Sequence, residues 1–293
     1  MESLGEVFPV LRTAARAERA MMRSDRLMAH RRRPEARLAH LEHNDGLAIS
    51  MPELEALTTC HRGEHRRVDW RAIAARPLAA TPARTGEGEA AYQQACARVA
   101  LHNTEILTAR KLLDGDAVAA REVITLNTGL TGLKASMNGL GLAAPEEHRL
   151  VAVVEAIEEA DVPYERLTSG DLRTARREPL SLAERRQIHL AALCALALRV
   201  GVELVAVLPE PEIEVAVLVD MLCEDRGRPT PQAVLQLLMT PDALTRQDWK
   251  SSDAITLAAT LGARMDWSVE QGFAPITLTP LAGAPPLTLA RAG

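Results

Sequence analysis

Three acidic residues in the C-terminal half of the chain could support metal-dependent hydrolysis. Asp220 lies near the end of an alternating apolar segment, and Glu224 and Asp225 follow shortly after it. Carboxylate oxygens are the ligands that hard divalent cations prefer, and a hydrolase or nuclease uses such ions to activate water. The return segment Gln232–Met239 carries no acid and no lysine. We therefore interpret the three acids as solvated turn residues and keep a metal-dependent hydrolase as the alternative.

A second group of residues could bind zinc. Its members are His40, His43, Cys60, His61 and His65. The first two histidines are three residues apart, so one helical face could present both, and the other three could complete a tetrahedral site. The spacing matches no standard zinc motif, so a histidine-rich, solvated surface is the favoured interpretation. We expect no cofactor, with zinc as the alternative.

Arginines form a third candidate site, for nucleic acid or for an acidic partner. They are Arg31, Arg32, Arg33, Arg37, Arg62, Arg66, Arg67 and Arg71. Acidic residues such as Glu35 and Glu64 dilute this charge, and Trp70 beside it is best explained as a packing anchor. The net charge of −5 gives no general reason to bind nucleic acid, and 2% aromatic residues argue against a base-stacking platform. We favour a solvated face with local ion pairs.

One glycine-rich segment resembles a dinucleotide-binding loop. Gly139–Ala144 has the form G-x-G-x-x-A, but that fingerprint needs a strand before it and a helix after it. Pro145 follows at once, so we interpret the segment as a flexible connection. No P-loop and no G-x-S-x-G motif occurs in the chain. The sequence thus offers no phosphate-binding loop and no activated serine.

The element that must organise these residues is the segment from Ser181 to Leu208. Ser181 and Glu184 form a capping box, and Pro209 ends the helix that they begin. Every residue from Leu190 to Leu198 is apolar, so the helix has no wide polar face there. A helix of this kind is buried inside a protein or a membrane.

Charged residues decide between those two environments. Arg199 and Glu203 lie within the apolar segment, and an arginine at the centre of a membrane span costs roughly 2.5–3.5 kcal/mol. Their spacing also lets them pair along one stripe of the helix with Arg185 and His189. We predict a water-excluded core helix and no association with a membrane.

The segments around this helix are typical of strands. Ile213–Met221 has the period of a strand, with apolar residues at the odd-numbered positions of one face and Glu214, Ala216, Leu218 and Asp220 on the other. Gln232–Met239 returns as a second strand after a turn. Leu150–Ile157 is rich in β-branched residues, and Asp171–Arg177 is its expected partner. Short helices are expected at Thr240-Pro241 and from Ser252 to Leu261. The predicted fold class is α+β, with a helical N-terminal region and an antiparallel sheet packed on the long apolar helix.

Breaks in this pattern suggest the domain organisation. Residues 77–88 are rich in Pro, Gly, Ala and Thr and predict a linker. We expect a helical N-terminal unit over residues 1–76, a helical segment over 89–144, an α+β domain over 145–275 and a loose tail over 276–293. Within the first unit, Ser50 followed by Pro52 and Glu53 predicts a helix start.

Three features resemble a family of bacterial proteins with no assigned activity. The first is the signature Asp69-Trp70-Arg-Ala-Ile73-Ala-Ala-Arg-Pro77. The second is the apolar segment Leu193–Pro209 followed by a strand pair, and the third is Ser252-Asp253-Ala254 with a later Gly272-Phe273-Ala-Pro275. The resemblance extends over about residues 57–281 and implies a domain plan of the kind described above. It implies no catalytic residue.

Together these observations predict a cytoplasmic, non-enzymatic protein-interaction or adaptor module. The N-terminal segment has no apolar signal core, and the four cysteines are scattered without a C-x-x-C motif, which is typical of a reducing compartment. The expected partner is another protein, and the oligomeric state stays open. The alternatives are a degenerate metal-dependent hydrolase that uses the Asp220 hairpin and an arginine-dependent nucleic-acid binder.

Overall fold

The computed structural model describes residues 48–83, 88–133, 136–146, 149–167, 177–210, 212–222 and 229–278. The helices expected before Ser50 and most of the expected tail lie outside these residues. The described chain divides into two compact units. The first contains residues 67–128 and 207–209, and the second contains the rest. Each unit is described separately below.

Helices in the described residues are α1 Met51–Thr58, α2 Trp70–Ala74, α3 Glu89–Leu113, α4 Ala117–Asn127, α5 Leu182–Val207, α6 Pro241–Arg246 and α7 Ala254–Thr260. Strands are β1 Ala48–Ser50, β2 Met137–Glu146, β3 Arg149–Ala156, β4 Glu165–Leu167, β5 Arg177–Pro179, β6 Glu212–Leu222, β7 Pro229–Met239, β8 Arg264–Ser268 and β9 Gly272–Ala274. The predicted α+β class is confirmed.

The first unit consists of α2, α3 and α4 with the segments that connect them. Gly115 adopts a φ of 79° after α3, and the Asp116 side chain accepts the N–H groups of Val118 and Ala119 at the start of α4. Glycine adopts this left-handed conformation readily at a helix end, and aspartate is a favoured N-cap residue. The beginning of the proline-rich segment is bound to α3, because the Asn103 side chain accepts the N–H of Ala79 at 2.8 Å and donates to its carbonyl at 2.9 Å.

The second unit contains a six-stranded sheet in the order β2-β3-β6-β7-β8-β9. Neighbouring strands are antiparallel except β3 and β6, which are parallel. The chain leaves β3, passes through α5 and returns as β6, and a crossover through a helix is the connection that joins parallel neighbours. The sequence predicts an antiparallel sheet, and the observed sheet differs from this in having one parallel pair of strands, β3 and β6.

Helix α5 is the core of the second unit. The predicted capping box is present, since Ser181 N–H donates to Glu184 Oε2 at 2.8 Å and Glu184 N–H donates to Ser181 Oγ at 3.2 Å. By length and composition α5 is the one described helix that could span a membrane, but 89% of its most apolar 18-residue window is buried in the protein. Gly201 allows close packing on β7, because a Cβ there would lie 3.0 Å from Met239 Cβ.

The structure corrects the interpretation of the glycine-rich segment. Gly139–Ala144 is part of β2, which pairs with β3, and is not a flexible connection. Glycine has a low strand propensity, but strand stability depends on the neighbours, and Gly141 pairs with Val153 of the valine-rich strand β3.

The expected partner of β3 is also wrong. Arg177, the last residue of the segment Asp171–Arg177, lies in β5, which pairs with β4 in a separate three-stranded sheet of order β1-β4-β5. The rest of that segment is outside the described residues. β3 lies between β6 and β2, so the antiparallel partner of β3 is β2.

Residues 276–278 are bound to the sheet rather than loose. β7 has a bulge where the pairing with β6 shifts register between Val217 and Leu218. Near this bulge, the Ala233 carbonyl of β7 accepts the Ile276 N–H at 2.7 Å. Leu278 is buried against Ala216, Leu218 and Ala233. These residues cover part of the sheet face that carries Ala216 and Leu218, whereas the alternate residues Val215 and Val217 lie on the other face.

Candidate functional site

Arg199 and Glu203 form a polar pair within the apolar C-terminal part of helix α5. The Arg199 guanidinium contacts the Glu203 carboxylate, as their i, i+4 spacing predicts. Arg199 Nη1 also donates to the Cys60 carbonyl at 3.2 Å, and Glu203 Oε2 accepts the Gly129 N–H at 3.4 Å. The pair is thus connected to two segments remote in sequence, which offsets part of the cost of burying charge.

The residues after α1 pack beside this pair. The His65 ring nitrogen Nε2 lies 3.1 Å from the His61 carbonyl, and its ring meets the Trp249 ring edge-on, with the centroids 5.7 Å apart. His61 Nε2 lies 3.1 Å from the Ser252 carbonyl. We define Cys60, His61, His65, Arg199 and Glu203 as the α5 polar cluster. All five belong to the second unit.

The ring nitrogen Nδ1 of His61 is buried without a hydrogen-bond partner among the described residues. The side chain of His61 is fully buried, and because a carbonyl oxygen only accepts, the ring proton lies on Nε2. Nδ1 is then an acceptor, and it has no hydrogen-bond partner among the described residues. Burial lowers the pKa of His61, and the same cause lowers the pKa of His65. Both rings therefore favour the neutral form near pH 7.

Cys60 is not poised for nucleophilic chemistry. Burial raises the pKa of its thiol to about 11, which outweighs the opposing effect of the Arg199 charge. The thiolate is the reactive form of cysteine, so Cys60 is almost entirely in its unreactive form near neutral pH. The cluster can hold residues 60–65 against α5, but it lacks an activated thiol.

Zinc ligation is not evident in the described part of the chain. Within it, no group of three or more His, Cys, Asp or Glu side chains is arranged to hold a metal ion. Nε2 of His61 and of His65 each faces a backbone carbonyl. The other two members of the predicted set, His40 and His43, lie outside the described residues.

The structure places one of the three predicted acids. Asp220 lines a small cavity of about 20 Å³, room for roughly one water molecule, together with the acidic residues Glu155 and Glu158. Neither of these was expected from the sequence, because β3 and β6 become neighbours only through the crossover. Glu224 and Asp225 lie outside the described residues.

Only some arginines of the predicted site lie within the described residues. Arg31, Arg32 and Arg33 lie outside the described residues, Arg66 is exposed in the second unit, and Arg67 donates to the Pro209 carbonyl at 3.3 Å in the first unit.

Trp70 has a structural position in the first unit. It is buried, and its indole Nε1–H donates to the Val207 carbonyl at 2.8 Å. A buried indole with its N–H satisfied is typical of a packing residue. The hydrogen bond agrees with the interpretation of Trp70 as a packing anchor.

Two further buried polar groups have partners that the sequence does not predict. Arg185 donates to the Val162 and Glu159 carbonyls and lies over the Tyr164 ring, 3.8 Å from its centroid. Gln236 donates to Glu214, and both side chains are fully buried in the sheet. Their spacing on the chain gives no signal, since each partner comes from a different element.

We predict that the protein loses stability as the pH falls below about 6.5, the ordinary pKa of histidine. Burial lowers the pKa of His61, His65 and His189 in the folded state. The unfolded chain therefore binds protons first, and the stabilisation present above pH 6.5 is lost as the pH falls toward the folded-state values. Urea midpoints measured between pH 7.5 and 5 test this, and His61→Gln should flatten the dependence. Equal midpoints throughout would contradict it.

Comparison with known proteins gives no match. No family model, no curated protein and no solved structure matches the chain.

Proposed function

We propose that this chain is a non-enzymatic protein-interaction module whose contact surface lies on α3 and α4 of the first unit. The observation that carries the proposal is the distribution of exposed apolar side chains. Among the described residues, six of the nine exposed large hydrophobic residues lie in the first unit: Leu78, Leu101, Leu107, Leu113, Val118 and Leu126. This unit has less than half as many described residues as the second, so its surface is markedly richer in exposed apolar groups.

The degree of exposure supports the proposal. Leu126 is 81% exposed and Leu101 is 72% exposed. The connection between α3 and α4 is short, and short connections join antiparallel neighbours. Leu101 lies 14 residues before Gly115 and Leu126 lies 11 residues after it. In an antiparallel hairpin this difference of three residues corresponds to about 5 Å along the helix axis. Large exposed apolar groups on neighbouring helices are typical of protein contact sites.

The burial pattern of α3 points in the same direction. Its buried residues are Ile106, Ala109 and Leu112, all in its C-terminal half. The N-terminal half has no buried residue, although it carries Tyr92 and Val99. Helical stability in proteins comes mostly from packing of an apolar face. A long helix whose buried residues lie only in its C-terminal half therefore favours a partner protein that packs on its N-terminal half.

The thiols support the proposed location. The described cysteines Cys60, Cys96 and Cys194 are free. Free thiols persist in reducing compartments, so we place the protein in the cytoplasm as part of the same proposal.

Substitution of the two most exposed leucines tests the function. Because both side chains are mostly solvated, Leu101→Glu and Leu126→Glu should change the free energy of unfolding by less than about 0.5 kcal/mol. Pull-down from host-cell lysate, quantified by mass spectrometry, should lose the partners enriched by the wild-type chain. Leu182→Glu, at a residue 52% exposed in the second unit, is the matched control and should keep them. Partners that survive both leucine substitutions would refute the proposed surface.

A further inference from the structure

The middle of β2 is a sheet edge that no other described strand covers, although Pro145 and Glu146 lie at the end of the strand. Strand β2 ends the six-stranded sheet and is ten residues long, whereas β9 at the opposite edge has only three. Proteins protect edges with short strands, lysine, proline or bulges. Residues 137–144 contain no charged residue and no proline, and the register shifts of β2 lie only near its two ends. None of the usual devices therefore protects the middle of this strand.

The backbone of β2 determines what kind of group can cover it. In an antiparallel pair, alternate residues direct N–H and C=O toward the neighbouring strand and the others direct them outward. Over residues 138–144, no backbone hydrogen bond joins the outer side to another described residue. A row of alternating donors and acceptors is satisfied by an extended chain, which makes a β-strand the matching partner.

The side chains of β2 would suit pairing with a second copy of the same strand. Leu140 and Leu142 share one face, and Gly139, Gly141 and Ala143 share the other, as their pairing with alternate residues of β3 requires. We infer that two copies of this chain pair β2 against β2, antiparallel, about a two-fold axis at Gly141. Leu140 then faces the partner's Leu142, and Gly139 faces the partner's Ala143.

This arrangement is self-complementary. A two-fold interface uses the same patch on both copies, so every residue must tolerate its counterpart. The uncharged strand brings no like charges together, and the paired leucines add apolar contacts on one face. The half-exposed state of Leu140 and Leu142 in the single chain leaves surface for such contacts. The contact strand lies in the second unit and is independent of the surface proposed on α3 and α4.

A cysteine at the axis tests the dimer. Opposite Cα atoms in an antiparallel pair are about 4.5–5.5 Å apart, within the usual disulfide range of about 4.4–6.8 Å. A Cβ at Gly141 meets nothing closer than the Val153 carbonyl oxygen at 3.9 Å, so the single chain has room for the substitution. Full-length Gly141→Cys should form a reducible dimer on mild oxidation. Gly132→Cys, where a Cβ meets nothing within 4 Å, and the wild type should stay at background.

Sedimentation velocity provides a second measurement. The wild type should be dimeric, and Gly141→Lys, which sets two like charges against each other, should raise the dimer Kd roughly tenfold or more. Gly132→Lys should leave the Kd unchanged. A monomeric wild type would overturn the inference, including the case in which residues 1–47 of the same chain cover the edge. A wild-type dimer that Gly141→Cys fails to cross-link would also overturn it, since the contact would lie on another surface.

Discussion

Replacing Glu203 with alanine should lower the free energy of unfolding by about 3–5 kcal/mol, because removing one member of a buried ion pair leaves the other charge uncompensated. Glu203 is 9% exposed, and its carboxylate contacts Arg199 and accepts the Gly129 N–H. Among the described residues, the substitution leaves the Arg199 guanidinium with the Cys60 carbonyl as its hydrogen-bond partner. Chemical denaturation of the single variant measures the loss.

Two further variants separate the buried charge from the general effect of substitution. Arg199→Met combined with Glu203→Leu should return to within about 1.5 kcal/mol of the wild type, since an apolar pair of similar volume replaces a buried ion pair at little cost. Asp242→Ala breaks the i, i+4 pair with Arg246, whose side chains are 74% and 70% exposed, and should cost less than about 1 kcal/mol. A double variant as unstable as Glu203→Ala would contradict this explanation.

Replacing Leu196 with alanine should cost about 2–5 kcal/mol, the range for cavities left by leucine in a packed core. Leu196 is fully buried on α5, and the residues on both sides of it, Ala195 and Ala197, are fully buried as well. Adjacent residues of a helix point in different directions, so their burial shows that α5 is enclosed by packed core on several sides here. Packed surroundings relax only partly around a deleted side chain, so the cavity should persist. Thermal and urea unfolding of the variant should agree on a loss in this range.

The matched control is the same substitution at an exposed leucine. Leu126→Ala removes the same atoms from a side chain that is 81% exposed and should change stability by less than about 0.5 kcal/mol. If both substitutions cost the same, α5 would not be the core of the second unit.

Local chemistry explains which elements could be predicted. The Ser50–Glu53 and Ser181–Glu184 capping boxes and the Asp116 cap join residues only two or three positions apart, so the sequence contains every atom that they need. The alternation of β6 is also local, because a strand with a period of two residues has to place Val215 and Val217 on one face. The α+β class, built on the long apolar helix, followed from these features.

Tertiary structure alone decided the role of β2 and the composition of the α5 polar cluster. Glycine-rich β2 has little intrinsic tendency to form a strand, and its stability comes from pairing with β3, which the local pattern does not contain. Arg199 meets the Cys60 carbonyl across 139 residues of chain. A contact of that range depends on how the elements pack together. The sequence by itself therefore determined where the helices with capping boxes begin and which residues are apolar. Folding decided which polar groups meet and which strand edge stays open among the described residues, because both depend on residues brought together from distant parts of the chain.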